Sequence, residues 1–427
     1  MKILIKNGHV VDPANGIEGK RDLLVVDGII SRIAETGSLN SKGAETVNAK
    51  GLLVLPGFID LHSHLREPGY EYKETIETGG KSAVAGGFTS ICCMANTSPV
   101  NDNASVTRYI MDKQKKAGFA NVFPVGAITK GLKGSELSEI GGMVKAGIVA
   151  ISDDAEPVMN SLVMRRAMEY SKIFGIPLFS HCEDLSLGDE GVMNEGIIST
   201  LLGLKGMTSE SEFNMIQRDI NLACLTGARL HISHVSTASG VSAIREAKKR
   251  GIKVTSEVTP HHLMLTEDAV RGYGTNFKMK PPLRTKQDVE SLEEGLADGT
   301  IDSFATDHAP HAIVDKQVEF DRASFGIVGF ETAFPLLLTL VKRRVITLNK
   351  LIEKLTVSPA GIIRKNKGTL SCGADADIVL ADPDREYTID VKKFYSKGTN
   401  SPFDGWKVKG SIERVFVSGR LVFSRGG

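Results

Sequence analysis

Between residues 58 and 308 the chain repeats one pattern: a short apolar run, a polar loop, then a stretch whose apolar positions recur every three to four residues. The apolar runs fall at 58–64, 89–96, 122–129, 147–154, 177–183, 229–235, 253–258 and 303–308, and helical periodicity is clear at 163–173 and 241–250. Short runs rich in Val, Ile and Leu read as buried parallel strands, and their alternation with helices reads as βα units. Eight such units in about 300 residues predict an α/β fold of the (β/α)8 TIM-barrel type, because a doubly wound sheet usually has fewer parallel strands.

The ends of the chain have a different texture. Strand-like runs at 2–6, 23–26, 29–33, 46–48 and 52–55 are separated by turns, among them Asp27-Gly28, a hairpin signal between apolar strands. Similar runs return at 373–380, 412–417 and 421–423, the last two joined by Ser418-Gly419-Arg420. Neither set has partners nearby in the barrel. The expectation is a small β-sandwich built from both termini, residues 1–55 and 366–427, around a barrel at 56–365.

Barrel enzymes place their chemistry at the C-terminal ends of the strands. Those ends carry His62 and His64, Asn96, Thr129, Asp153 and Asp154, His181, His234, Glu257, and Asp307. Packing needs only apolar layers there, so this concentration of polar groups points to a metal site. His62 and His64 stand at i and i+2, which on a strand share a face and can hold one ion. Imidazole and carboxylate donors suit zinc or a similar divalent ion, and the set suffices for one or two ions. His231 and His234 are three apart and would face opposite sides of a strand, so only one joins the site. Asp153 and Asp154 also face opposite ways, and periodicity does not choose between them. His9, His261 and His262 read as hydrogen-bonding or surface residues.

Composition narrows the classes. Lys+Arg 52 against Asp+Glu 51 leaves a formal charge of +1, which argues against nucleic acid or an anionic membrane as partner. Five cysteines without CxxC spacing fit reduced thiols. There is no signal-peptide pattern and no apolar run of about 18 residues, so the expectation is a soluble cytoplasmic protein acting on a small molecule.

The motifs together resemble the amidohydrolase superfamily, and within it the dihydroorotases of the longer bacterial type. The stretches that carry the resemblance are Asp60-Leu61-His62-Ser63-His64-Leu65-Arg66-Glu67-Pro68-Gly69, Met94-Ala95-Asn96-Thr97, Ser152-Asp153-Asp154, Ser180-His181-Cys182-Glu183 and His231-Ile232-Ser233-His234-Val235-Ser236. To these belong Ala305-Thr306-Asp307-His308-Ala309-Pro310-His311 with Lys316, and Phe325-Gly326-Ile327-Val328-Gly329-Phe330-Glu331-Thr332. The resemblance implies that His62, His64 and Asp307 bind one metal, that His181 and His234 bind a second, and that Asp154 bridges them where many relatives use a carboxylated lysine. It further implies that His64, Arg66, Asn96, His311, Phe325 and Gly326 contact substrate, with Asp307 as catalytic base and acid.

The implied reaction is the reversible cyclisation of N-carbamoyl-L-aspartate to dihydroorotate in pyrimidine biosynthesis, with zinc as cofactor. A homo-oligomer and association with aspartate carbamoyltransferase are the implied partners. Arg66 fits on its own chemistry, since a guanidinium fork captures a carboxylate bidentately. Lys280, in Lys278-Met279-Lys280-Pro281-Pro282-Leu283-Arg284, departs from the family's frequent Asn: it either holds substrate differently or sits outside the site. Residues 312–324 link two substrate-contacting motifs and are expected to form a mobile loop over the site. The rival readings are a hydantoinase, dihydropyrimidinase or allantoinase, which usually have the lysine bridge and lack an equivalent of Arg66, and an inert scaffold relative, which would commonly have lost metal ligands.

Overall fold

The computed structural model describes residues 1–40 and 42–426. Eight parallel strands form one sheet in chain order: Phe58–Ser63, Phe88–Cys93, Asn121–Gly126, Ala150–Ile151, Leu178–Ser180, Leu230–Ile232, Val254–Val258 and Ser303–Phe304. The sheet closes where Ser63 bridges His308 in parallel and the His64 N–H bonds the His308 carbonyl at 2.8 Å. This is the predicted barrel. The helices between strands begin where side chains supply the missing acceptors: Asn160 caps Ser161–Phe174 and Thr237 caps Ala238–Lys249.

Both termini meet in a second eight-stranded sheet. Lys2–Asp12 is its branch point, pairing antiparallel with Ile17–Val26 and parallel with both Glu45–Asn48 and Leu53–Pro56. Leu53–Pro56 then pairs antiparallel with Ile378–Thr388, joining Leu55 to Val379 across more than 300 residues of chain. Ile3, Ile5, Val10, Leu23, Val47, Val54, Ile378 and Leu380 share one apolar core beneath this seam. The Asp27-Gly28 turn has left-handed backbone at both residues, φ 48° and 81°, as a two-residue hairpin between Ile17–Val26 and Ile29–Glu35 requires.

Between the C-terminal strands, residues 395–400 leave that sheet and lie against the barrel. The Tyr395 N–H bonds Glu331, and the Ser396 hydroxyl bonds Glu74. Among the described residues no helix is long and apolar enough to cross a membrane, and all five cysteines are free thiols.

Candidate active site

The observed strands stop short of the apolar runs that predict them: Ala150–Ile151 replaces 147–154, and Ser303–Phe304 replaces 303–308. Of the expected metal ligands only His62 lies within a strand, while His64, His181, Asp154, His234 and Asp307 follow the strand ends. There the backbone leaves the extended region. Arg66, His234 and Asp307 have φ of 60°, 34° and 45°, a left-handed conformation that non-glycine residues rarely adopt. Strand alternation therefore does not govern His234. His231 sits in its strand with Nε2 3.0 Å from Glu257 Oε2, so it is one carboxylate removed from the cluster rather than turned away from it.

Asp154 is the centre of that cluster. Its carboxylate lies 3.2 Å from His62 Nε2, 3.5 Å from His64 Nε2, 3.4 Å from His181 Nδ1 and 3.5 Å from His234 Nε2. Asp307 faces the same space, with Oδ1 3.2 Å from His64 Nε2 and 3.8 Å from His62 Nε2. Two sets of donors lie within 4.8 Å of one another: His62, His64 and Asp307, and His62, Asp154 and His234. His181 adjoins them, its Nδ1 3.0 Å from His234 Nε2. Asp153 turns the other way, accepting the N–H groups of Ile128 and Thr129 and the Thr129 hydroxyl.

The residues around the cluster orient its imidazoles. Glu257 accepts from His62 Nδ1 at 3.1 Å, Asn96 Oδ1 from His64 Nδ1 at 3.0 Å, and Glu183 from His181 Nε2 at 3.1 Å. Each bond consumes one ring N–H and turns the other nitrogen toward the space shared with the carboxylates, which is how metal-binding histidines are held. His62 Nε2 is fully buried with no hydrogen-bond partner. An orphaned buried nitrogen in a nest of carboxylates and imidazoles fits a divalent cation. Burial raises Asp307 and Asp154, but the neighbouring histidines, His62 foremost, outweigh it and hold both well below the usual carboxylate range. Asp60 fastens the first strand to the eighth by accepting the Thr306 N–H and hydroxyl at 2.8 and 2.7 Å.

A cleft of about 340 Å³ opens onto the cluster, lined among others by His64, Arg66, Asn96, Asp154, His181, His234, Lys280, Asp307, His311, Phe325 and Gly326. Arg66 Nε bonds the Pro310 carbonyl at 3.3 Å, and its Nη2 lies 3.4 Å from His311 Nε2. Burial, reinforced by the charges of Arg66, Lys73 and Lys316, pushes the His311 imidazole down to about 2. The neutral ring accepts from Lys73 at Nδ1 (3.3 Å) and donates from Nε2 to the Phe325 carbonyl (2.8 Å). Gly326 has to be glycine: at φ 149° its added Cβ would stand 2.7 Å from the Ala309 carbonyl oxygen.

Lys280 lies in the cleft rather than outside it, and its ammonium is 2.9 Å from Glu183. Burial would raise Glu183, but His181 first and then Lys280 outweigh this and hold it at about 2. Residues 312–324 include the short helix Ile313–Lys316, whose buried Lys316 donates to the carbonyls of Thr275, Lys278 and Ser324. His261 and His262 are both buried. His262 bonds Thr259 and the Pro281 carbonyl, while His261 Nε2 has no partner. The sequence reading assigns no role to Glu183, although it stands in a quoted motif, and reads Glu257 only as a polar strand end. Nothing in the pattern singles out Lys73, because its relation to His311 spans 238 residues.

A family model described as dihydro-orotase-like matches residues 51–240. The chain is 53% identical to the dihydroorotase of Acetivibrio thermocellus over 98% of both chains, and 52% identical to that of Geobacter metallireducens over 100% of both. Among solved structures it is similar to the L-hydantoinase (dihydropyrimidinase) of Arthrobacter aurescens, with a TM-score of 0.88 at 27% identity over 100% of this chain and 96% of that one. The dihydropyrimidinase of Brevibacillus agri gives 0.85 at 25%, over 99% and 95%.

Proposed function

The chain belongs to the dihydroorotase family, and from that premise we propose that its cleft carries out the reversible cyclisation of N-carbamoyl-L-aspartate to dihydroorotate, as a cyclic amide hydrolase of pyrimidine biosynthesis. The observation that carries the assignment to this site is the single carboxylate of Asp154 within 3.5 Å of four imidazoles, opening on a cleft that also holds Arg66 and Asp307.

His62, His64 and Asp307 would hold one divalent ion, with His181 and His234 holding a second and Asp154 between them. Such ions polarise the reacting carbonyl and bring the pKa of a bound water toward neutrality. Asp307, kept ionised by its histidine neighbours, accepts the proton of the attacking water and delivers it to the ring nitrogen as the amide opens. In the synthetic direction it removes the carbamoyl N–H proton, and the same carboxyl protonates the departing oxygen. Arg66 takes the substrate carboxylate, with the Asn96 amide N–H2 and His311 beside it, and the Phe325-Gly326 backbone meets the ring. Lys280 lines the same cleft with its ammonium paired to Glu183.

Charge-assisted hydrogen bonds contribute about 1.5–3 kcal/mol each. A ring lacking the carboxylate, such as dihydrouracil, should therefore be opened at least roughly 100-fold less efficiently. The test is a chelator-sensitive assay on dihydroorotate, dihydrouracil and hydantoin, with Asp307→Asn as the inactive control losing several orders of magnitude in turnover on the order of general-base loss. Protein that ignores dihydroorotate but opens hydantoin or dihydrouracil would sink the reading and favour a hydantoinase.

The donor chemistry favours zinc, which elemental analysis of purified protein checks. A homo-oligomer and docking to aspartate carbamoyltransferase belong to the same proposal. Sedimentation with and without the transferase tests it, and detection in the cytoplasmic fraction tests the location.

A further inference from the structure

Two stretches that line the cleft, Ala309–His311 and Phe325–Gly326, come from different loops, and a side chain outside the barrel bonds both. Asn400 belongs to the stretch between the C-terminal strands Ile378–Thr388 and Lys407–Val417. Its amide donates to the Ala309 carbonyl and to the Gly326 carbonyl, both at 3.0 Å. Its Oδ1 accepts the His311 N–H at 3.0 Å, and its own carbonyl accepts the Val328 N–H at 3.1 Å. The side chain is buried, and every donor and acceptor of the amide is engaged except one lone pair.

The surrounding chain leaves Asn400 little freedom. Gly398 runs so close to Pro310 that a Cβ added there would stand 2.7 Å from Pro310 Cβ. At the other end of the stretch, Ser396 is bonded to the buried Glu74. The loops already share a backbone rung, Ala309 N–H to the Ile327 carbonyl at 2.9 Å, and the bond from His311 Nε2 to the Phe325 carbonyl at 2.8 Å; the Asn400 side chain adds bonds to Ala309, His311 and Gly326, all three of which line the cleft.

We infer that Asn400 is a positioning residue for substrate recognition: it fixes the spacing and orientation of the His311 and Phe325–Gly326 backbones that face the cleft. This rests on the functional reading above. Asn400 touches none of the residues of the metal cluster, so its effect falls on substrate grip and not on the chemistry of the cluster. Asparagine suits the position because one amide both donates twice and accepts. Aspartate keeps the acceptor for His311 but turns an oxygen toward two carbonyls.

The experiment compares steady-state kinetics of wild type, Asn400→Asp and the milder Asn400→Ser on dihydroorotate, with melting temperature and metal content measured for each. Ser396→Ala loosens the same stretch at its other hydrogen-bonded end and serves as the control for simple loss of packing. The expected result is a KM raised roughly 10- to 100-fold in the Asn400 variants, with kcat within about threefold and metal content unchanged. Ser396→Ala should keep the wild-type KM. Folded Asn400 variants with wild-type KM, or a Ser396→Ala variant whose KM rises as far, would overturn the inference alone. Wild-type protein without activity on dihydroorotate would instead overturn the functional reading and this inference with it.

Discussion

Glu257 shows what a single residue contributes beyond the ligand set. Its two oxygens accept from His62 and His231, and although burial raises its carboxyl, those two histidines, His231 first, hold it at about 2. It therefore stays anionic and holds His62 Nε2 turned toward Asp154 and Asp307. Replacing Glu257 by Gln keeps the shape and removes the charge, so we expect metal affinity to fall about 10- to 100-fold. Competition against a chromophoric chelator measures this, and unchanged affinity would mean that Glu257 only fills space. At this scale the sequence is legible where neighbours in the chain are neighbours in space: the i, i+2 pair His62 and His64 is the case in point. It is silent where the partner is remote, as with Glu257 and His62, or Asn400 and Ala309.

The strands are legible as apolar runs, and their order and number follow from alternation with helices. Their ends are not, because the runs continue into residues such as Ile128 that are buried beyond the end of the strand. The stretch 395–400 is another element the pattern does not reveal, since it has neither period and is fixed by two carboxylates, the buried Glu74 and the half-buried Glu331. One of these, Glu331, bonds Ser82 and the N–H groups of Tyr395 and Ser396, yet burial outweighs those bonds and raises its carboxyl to about 7. Below its ordinary 4.5 the group is protonated folded or unfolded and has no effect on stability. Between 4.5 and about 7 the unfolded chain ionises first, so stability declines, and above that window the loss is complete at about 3 kcal/mol. Glu331→Gln should thus raise the melting temperature at pH 8 and leave it nearly unchanged at pH 4.5. An equal shift at both pH values would refute the account.

For the whole molecule, the seam between Leu53–Pro56 and Ile378–Thr388 ties the two ends of the chain into one sheet, and residues 395–400 then return to the barrel. A chain shortened to residues 1–365 would expose the Leu53–Pro56 edge and uncover Glu74 and Glu331, and it would lack Asn400. We expect it to be poorly soluble and without measurable turnover; a soluble, fully active 1–365 fragment would contradict this. The same connectivity bears on biosynthesis. Contacts at such separation in sequence form only after both partners exist, and they slow folding by the entropy of closing the intervening loop. Every residue proposed to hold metal precedes Asn400 in synthesis, ending with Asp307, so the proposed clamp on the cleft loops is the last part of the site to be made.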